Sequence, residues 1–287
     1  MGWNEKYWDI IDRYYWSPGE LGFHPIAKKK WVERKGLVCV PSELVNHSAP
    51  LYTRQETPRI VRRRLEHAEE ALNDLFDLTF SIASDVTISG VLFRPLDIYD
   101  GGPFTSLGRE LSDRYALGDD NFMPDGFFVS ERSLLGVELN LATHASADQL
   151  IKYIALMVLE ERHGGPRQNY CLLFIAPRLD EAHFWSKLGL QGPKVHEGFL
   201  EGAVMSVSDP KIRKLMETDL IHFRTVAARL RMALVTWSDL HKTLSLIMRE
   251  LDRSAAGEQT LYRLLAGFRD QIEIYTGAGV AKPLETA

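Results

Sequence analysis

The stretch PDGFFVSERSLLGVELN, residues 124–140, decides the fold, because it holds two short apolar segments on either side of a polar pair. Residues 127–129 and residues 134–141 have the aromatic, aliphatic and β-branched composition that is typical of strands. Glu131 and Arg132 lie between the two segments and have the length of a two-residue turn. The stretch therefore predicts a β-hairpin within an α/β fold.

The expected register of this hairpin brings three polar side chains together. With a two-residue turn, Ser130 pairs with Ser133, and counting outward sets Asp125 directly across from Glu138. Directly opposed residues have β-carbons about 5 Å apart. Asn140 lies two residues after Glu138 and shares its face of the strand. We therefore expect Asp125, Glu138 and Asn140 to converge on one side of the hairpin.

Two adjacent carboxylates favour a divalent cation between them. They repel each other, so that one tends to hold a proton unless a cation removes the penalty. Ligands that are all oxygen atoms favour Mg²⁺ or Mn²⁺ over zinc. Such an ion polarises a phosphoryl oxygen and lowers the pKa of a bound water. The hairpin thus predicts a magnesium or manganese centre that can act on phosphate esters.

The segment after the hairpin, residues 147–162, has the apolar pattern of a helix. Gln149 and Tyr153 are four residues apart and therefore lie on one face of this helix. Lys152 is on the adjacent turn and is able to reach the same region. We expect Gln149 and Tyr153 to support the site or to contact the nucleic-acid backbone.

The ordered set of Asp125, Glu138, Gln149 and Tyr153 resembles the PD-(D/E)xK nuclease superfamily, which includes many restriction enzymes and recombination nucleases. The resemblance covers about residues 104–178 and implies a restriction-endonuclease-like core. It implies that the Asp and the Glu bind the metal from adjacent strands. It also implies that the glutamine and the tyrosine come from the helix that follows the second of these strands.

The family motif has two further positions, an additional acidic ligand and a lysine. Family members often take an additional metal ligand from an acidic residue on an earlier helix, and Glu110 is the candidate here. The family's lysine, two residues after the Glu, positions or activates the attacking water, but Asn140 stands at that position. Three explanations stay open: Lys152 takes over the role from the helix, the site works with a neutral residue, or the site is inactive, naturally or through engineering.

The chain as a whole predicts an α/β core with helical additions at both ends. The core is expected to hold a small mixed sheet of about four or five strands flanked by helices. We divide the chain into an N-terminal appendage (residues 1–57), a helix and a strand leading into the core (58–103), the nuclease-like core (104–240) and C-terminal helices (241–287). The predicted helices cover residues 59–80, 106–117, 147–162, 181–188, 238–251 and 259–275, and the predicted strands cover residues 37–40, 86–93, 127–129, 134–141, 169–176 and 232–237.

The composition limits the classes of function. The net charge is −5, so that nucleic-acid binding has to use local basic patches. Arg59, Arg62, Arg63 and Arg64 form such a patch near the start of a predicted helix; the other interpretation is a solvated helix face. The sequence has 2 cysteines, too few for a disulfide framework or a structural zinc site. Its apolar runs are far shorter than the ~20 residues of a membrane helix, and a cytoplasmic location is expected by default.

These observations predict a metal-dependent endonuclease that hydrolyses DNA in a restriction-like or genome-defence role. DNA is the expected partner and no membrane is expected, while protein partners in a defence or mobile-element complex and a homo-oligomer stay open. The first alternative is a nuclease-fold module without catalysis that binds nucleic acid or acts as a scaffold. The second is an α/β interaction protein with no nucleic-acid role, in which Glu138 should pair with a buried arginine and no metal-sized cluster should form.

Overall fold

The structure is a computed structural model that describes residues 69–108, 110–115, 124–139, 146–177, 180–196, 198–204 and 207–280. Several predictions fall on residues outside these ranges. They concern the appendage at residues 1–57 with its strand at 37–40, the first part of the helix at 59–80, the cluster of Arg59, Arg62, Arg63 and Arg64, and Asn140.

A five-stranded mixed sheet forms the centre of the described chain. Its strands follow one another across the sheet in chain order: β1 (Thr105–Ser106), β2 (Gly126–Val129), β3 (Ser133–Leu139), β4 (Asn169–Ala176) and β5 (Leu230–Thr236). The β1–β2 and β2–β3 pairs are antiparallel, whereas the β3–β4 and β4–β5 pairs are parallel. Every residue of β3 is buried, as expected for a strand covered on both faces. The prediction of a small mixed sheet in an α/β fold is confirmed.

The β2–β3 hairpin has the predicted register. Gly126 pairs with Val137, and the Ser130 N–H donates to the Ser133 carbonyl at 2.9 Å. The Ser130 hydroxyl accepts the Ser133 N–H at 2.9 Å and donates to the buried Asp100 carboxylate at 2.6 Å. Because these bonds use both the backbone and the side chain of Ser130, they fix the turn and therefore the pairing of the two strands.

Helices cover both faces of the sheet. They are α1 (Glu69–Ile82), α2 (Asp85–Ile88), α3 (Glu110–Tyr115), α4 (Ala147–Gly164), α5 (Glu181–Lys187), α6 (Phe199–Ala203), α7 (Pro210–Thr218), α8 (Leu220–Arg229), α9 (Trp237–Glu250) and α10 (Ala256–Val280). A first hydrophobic cluster packs the six helices from α3 through α8 against one face of the sheet. A second cluster packs α1, α2, α9 and α10 against the other face. The predicted C-terminal helical pair corresponds to α9 and α10, which pack against each other. Among the described helices, none combines the length and the apolar composition that crossing a membrane requires.

Residues 86–93, for which we predicted a strand, are helical, so that prediction was wrong. α2 continues directly into a π-helical turn, Ser89–Phe93. The β-branched composition is typical of strands, but the Ser84 hydroxyl accepts the Thr87 N–H and so caps a helix. Packing then decides the outcome, because the helical period buries the apolar side chains of this segment in the second cluster and leaves Val86 81% exposed.

The segment between β1 and β2 also differs from its prediction. We expected a helix over residues 106–117, but Ser106 belongs to β1 and α3 begins only at Glu110. The intervening turn contains Gly108 with a positive φ of 35°, and its Leu107 N–H donates to the Phe127 carbonyl at 2.8 Å. This backbone bond extends the sheet edge and delays the start of the helix.

The sequence analysis predicted no helix between α5 and β5, where the structure has α6, α7 and α8. The start of α7 was detectable, because Asp209 accepts the N–H groups of Lys211 and Ile212 and is followed by a proline. Thr236 caps α9, since Thr236 and Asp239 form a reciprocal capping box.

Gly136 in β3 provides a test of how closely α4 packs on the hairpin. A Cβ atom at this position would lie 2.5 Å from Cδ1 of Tyr153, and that ring is fully buried. We therefore expect Gly136→Ala to lower the free energy of unfolding by about 1–3 kcal/mol, measured by urea denaturation. Gly202→Ala is the matched control, because a Cβ atom there meets nothing within 4 Å. Equal stability of the two variants would show that α4 lies farther from β3 than described.

Candidate active site

Asp125 immediately precedes β2, and both of its carboxylate oxygens accept hydrogen bonds. Its Oδ2 accepts the backbone N–H of Leu139 at 2.7 Å, and its Oδ1 accepts the side-chain amide of Asn73 at 2.6 Å. Leu139 belongs to the opposite strand of the hairpin, whereas Asn73 belongs to α1. Both of these donors are neutral, so they orient the carboxylate without cancelling its charge.

Glu138 lies on β3 and is only 9% exposed. Its Oε1 accepts the side-chain amide of Gln149, and its Oε2 accepts the Tyr153 hydroxyl at 2.7 Å. The same hydroxyl contacts the Val137 carbonyl at 2.8 Å. A buried carboxylate needs such partners, because leaving it unsolvated and unbonded is costly. The prediction that Gln149 and Tyr153 share one helix face is confirmed, and both side chains contact Glu138.

The pKa of the Tyr153 phenol is affected by both carboxylates. Burial raises the pKa of the Tyr153 phenol well above its ordinary value, and the negative charges of Glu138 and Asp125 raise it further. Each carboxylate disfavours the phenolate by like-charge repulsion. The pairing of Gly126 with Val137 carries the expected register outward to Asp125 and Glu138, the next residues of the two segments.

The first two turns of α4 place Gln149 and Tyr153 in contact with Glu138. Ser146 is the N-cap, and its hydroxyl accepts the Gln149 N–H at 3.2 Å. Gln149 is consequently in the first turn of α4, and Tyr153 follows one turn later on the same face. Gly136, which has no side chain, leaves the space that the Tyr153 ring occupies.

Lys152 makes an ion pair on a neighbouring face of α4. Its Nζ lies 2.9 Å from Asp148 Oδ2, and Asp148 also accepts the N–H of Ser208 at 2.7 Å and its hydroxyl at 2.9 Å. Partial burial opposes ionisation of Asp148, but the bonds from Lys152 and Ser208 outweigh burial and lower its pKa. The ammonium that we considered as a substitute for the motif lysine is therefore shared with another carboxylate.

The structure gives less information on the two remaining candidates. Glu110 is the first residue of α3, and its side chain lies outside the described part of the chain. The end of α3 is attached to α4, where Glu160 accepts bonds from Arg114 at 2.8 Å and from Tyr115 at 2.5 Å. Asn140 follows the last described residue of β3. Within the described ranges, no group of three or more His, Cys, Asp or Glu side chains forms a metal-sized cluster.

Asn73 is a site residue that the sequence analysis missed. It lies on the predicted helix at residues 59–80, next to the apolar positions Leu72, Leu75 and Phe76. A polar residue at the border of an apolar stripe is common on helices, so the sequence carries no signal that this one contacts Asp125.

Comparisons of the chain with protein-family models, with curated proteins and with solved structures gave no match. The site is thus defined by its own geometry: a central hairpin holds two carboxylates, and a different helix contacts each of them. Asp125 is contacted from α1, and Glu138 is contacted from α4.

Tyr153→Phe tests the buried hydroxyl. Removing it leaves the buried Glu138 carboxylate without this donor, and we expect the free energy of unfolding at neutral pH to fall by about 1–3 kcal/mol. The folded protein keeps the phenol proton, whereas the unfolded chain releases it near pH 10. The stabilisation that the Tyr153 hydroxyl provides is therefore complete below about pH 10. It is lost as the pH rises toward the raised pKa of this phenol in the folded protein.

The difference in stability between wild type and Tyr153→Phe should accordingly narrow above about pH 10, measured by urea denaturation at a series of pH values. Tyr99→Phe is the control, because Tyr99 is 85% exposed and should show neither effect. A difference between wild type and Tyr153→Phe that stays constant with pH would contradict the burial of the phenol beside two carboxylates.

Proposed function

We propose that this protein is a metal-dependent endonuclease of the PD-(D/E)xK type that hydrolyses phosphodiester bonds in DNA. The observation that carries the proposal is the pair of carboxylates, Asp125 and Glu138, beside one buried tyrosine hydroxyl on a central hairpin. The order of elements supports it, because the hairpin is followed by a helix whose Gln149 and Tyr153 contact the Glu. A restriction-like or genome-defence role suits this activity.

The residues present fit a Mg²⁺ or Mn²⁺ ion. Asp125 and Glu138 supply carboxylate oxygens, the type of ligand that both ions prefer. Asn73 adds a buried amide oxygen, Oδ1, that has no hydrogen-bond partner among the described residues. When bound, the ion supplies polarisation of a phosphoryl oxygen and a water of lowered pKa.

The protein side chains orient the ligands and the water in this proposal. Asp125 and Glu138 hold the ion, and Gln149 and Tyr153 keep the Glu138 carboxylate in one orientation. Asn140 orients the attacking water with its amide group.

Lys152 is the other group that could orient the water. It first has to leave Asp148, which keeps the N–H and the hydroxyl of Ser208 as donors when the pair opens. The lysine side chain is flexible, so that the ion pair does not exclude a catalytic role for Lys152.

DNA contact is assigned to Arg59, Arg62, Arg63 and Arg64. These arginines precede α1 in the sequence, and α1 carries the Asn73 that contacts Asp125. Arginine side chains bind phosphate groups in a bidentate manner, and several together supply the local positive charge that a protein with a net charge of −5 needs for nucleic acid.

A non-catalytic nuclease-fold module is the second candidate, and one observation favours it. The Lys152 ammonium is paired with Asp148, and the motif position holds the neutral Asn140. Without a positive charge beside the scissile phosphate, the site would keep its hairpin and its binding surface but lack a means to activate water.

Cleavage of DNA distinguishes the two candidates. We expect the protein to nick supercoiled plasmid and to degrade linear DNA with Mg²⁺ or Mn²⁺, and to be inactive in EDTA. Asp125→Ala and the nearly isosteric Asp125→Asn should both abolish cleavage, because each removes a charged metal ligand. Glu131→Ala is the matched control: this carboxylate is exposed at the other end of the same hairpin and should be dispensable. Cleavage that persists in both Asp125 variants would contradict the proposal.

The missing motif lysine is tested by two further variants. If Lys152 orients the water, Lys152→Ala should abolish cleavage at little cost in stability, since its ion pair is partly exposed. If Asn140 leaves the site weak, Asn140→Lys should raise the rate about a hundredfold by adding ~3 kcal/mol of electrostatic stabilisation. Duplex binding without cleavage in wild type and in Asn140→Lys would establish the non-catalytic module.

A further inference from the structure

Helix α1 contributes to the site a contact that neither the hairpin nor α4 supplies. The Asn73 side-chain amide donates to Asp125 Oδ1 at 2.6 Å. The orientation of this amide follows from chemistry, because a carboxylate oxygen at that distance requires an N–H group rather than a second oxygen. The carbonyl oxygen of the same group is buried and has no hydrogen-bond partner among the described residues.

α1 is anchored on both sides of Asn73. Leu72 is 1% exposed and Phe76 is fully buried, both within the second hydrophobic cluster. One turn further on, Asp77 accepts a hydrogen bond from the Ser106 hydroxyl of β1 at 3.3 Å. Since the helix is fixed to the sheet at these points, Asn73 meets Asp125 in one defined position.

The glycine after Asp125 permits this close approach. A Cβ atom on Gly126 would lie 2.8 Å from Cε1 of Phe76, which is closer than real side chains pack. A side chain at this position would have to displace the Phe76 ring, which packs α1 against the start of β2. The packing of Phe76 on Gly126 is a separate observation from the Asn73–Asp125 hydrogen bond, and it places α1 beside the same end of β2.

We propose that Asn73 is a positioning residue, which fixes the Asp125 carboxylate in the orientation that binds the divalent cation. Its amide holds Oδ1 while the Leu139 N–H holds Oδ2, so that both oxygens of the carboxylate have a set direction. This inference rests on the proposed metal-dependent function and adds a residue to the same site. Residues that orient metal ligands in this way typically change metal affinity by about 10- to 100-fold when they are replaced.

Manganese binding measures this role without reference to cleavage. The full chain is titrated with MnCl₂ while free Mn²⁺ is followed by electron paramagnetic resonance, and the Tm is recorded in EDTA. Asn73→Leu preserves the approximate volume and removes the donor. We expect a Kd for Mn²⁺ that is at least about tenfold higher, together with a Tm equal to or above that of wild type, because the unbonded amide oxygen is removed as well.

Two variants complete the comparison. Asn73→Ser, which stays polar but is too short to reach Asp125, should show the same loss of affinity and keeps the test valid if the leucine variant fails to fold. Ser81→Ala lies on the exposed side of α1 and should bind Mn²⁺ like wild type.

Each remaining outcome rejects a specific claim. If wild type binds Mn²⁺ and the Asn73 variants bind it equally well, the positioning role is wrong while the proposed function stands. If affinity falls only in step with a lower Tm, Asn73 is a structural residue and the inference is wrong. If wild type itself binds no Mn²⁺, the cation centre does not exist, and both the proposed function and this inference are rejected.

Discussion

The register of the β2–β3 hairpin is the constraint on which the site depends. A slip of one residue would turn every side chain of β3 to the opposite face of the sheet. Glu138 would then enter the apolar cluster on the α1 side, and Leu139 would take its place above Gln149. The bonds that join Ser130 to Ser133 and to Asp100 prevent such a slip at the turn, and the apolar faces of the strands oppose it along their length.

The side chains that donate hydrogen bonds to the two carboxylates come from helices on opposite sides of the sheet. The donor to Asp125 comes from α1, which packs in the second cluster, whereas the donors to Glu138 come from α4, which packs in the first. The spacing of the two acidic residues is set by the register of the hairpin, and the two helices fix how each carboxylate is oriented. Core packing at the density of organic crystals makes such a spacing rigid, which a metal site with two carboxylates requires.

The sequence was sufficient to predict those strands and helices whose apolar pattern is complete within a few residues. The strand at residues 169–176 has the predicted bounds, and the hairpin and α4 follow the prediction closely, because alternation and helical period are read within a few residues. Residues 86–93 were misread, since β-branched residues also pack in a buried helix and only tertiary contacts decide between the two. Asn73 could not be foreseen, because its contact lies 52 residues away in the chain. The metal, the DNA substrate and the catalytic roles remain predictions.

The packing of α1 against α10 has a consequence for the order of folding. The rings of Phe76 and Phe268 lie 6.0 Å apart in space, although they come from the two ends of the described chain. Hairpin closure needs only a two-residue loop, whereas this contact must close a loop that contains the entire sheet. Closing a longer loop costs more entropy, so that we expect the β2–β3 hairpin to form before α1 and α10 come together. In a chain that has closed only this hairpin, both carboxylates are present before the second hydrophobic cluster is complete.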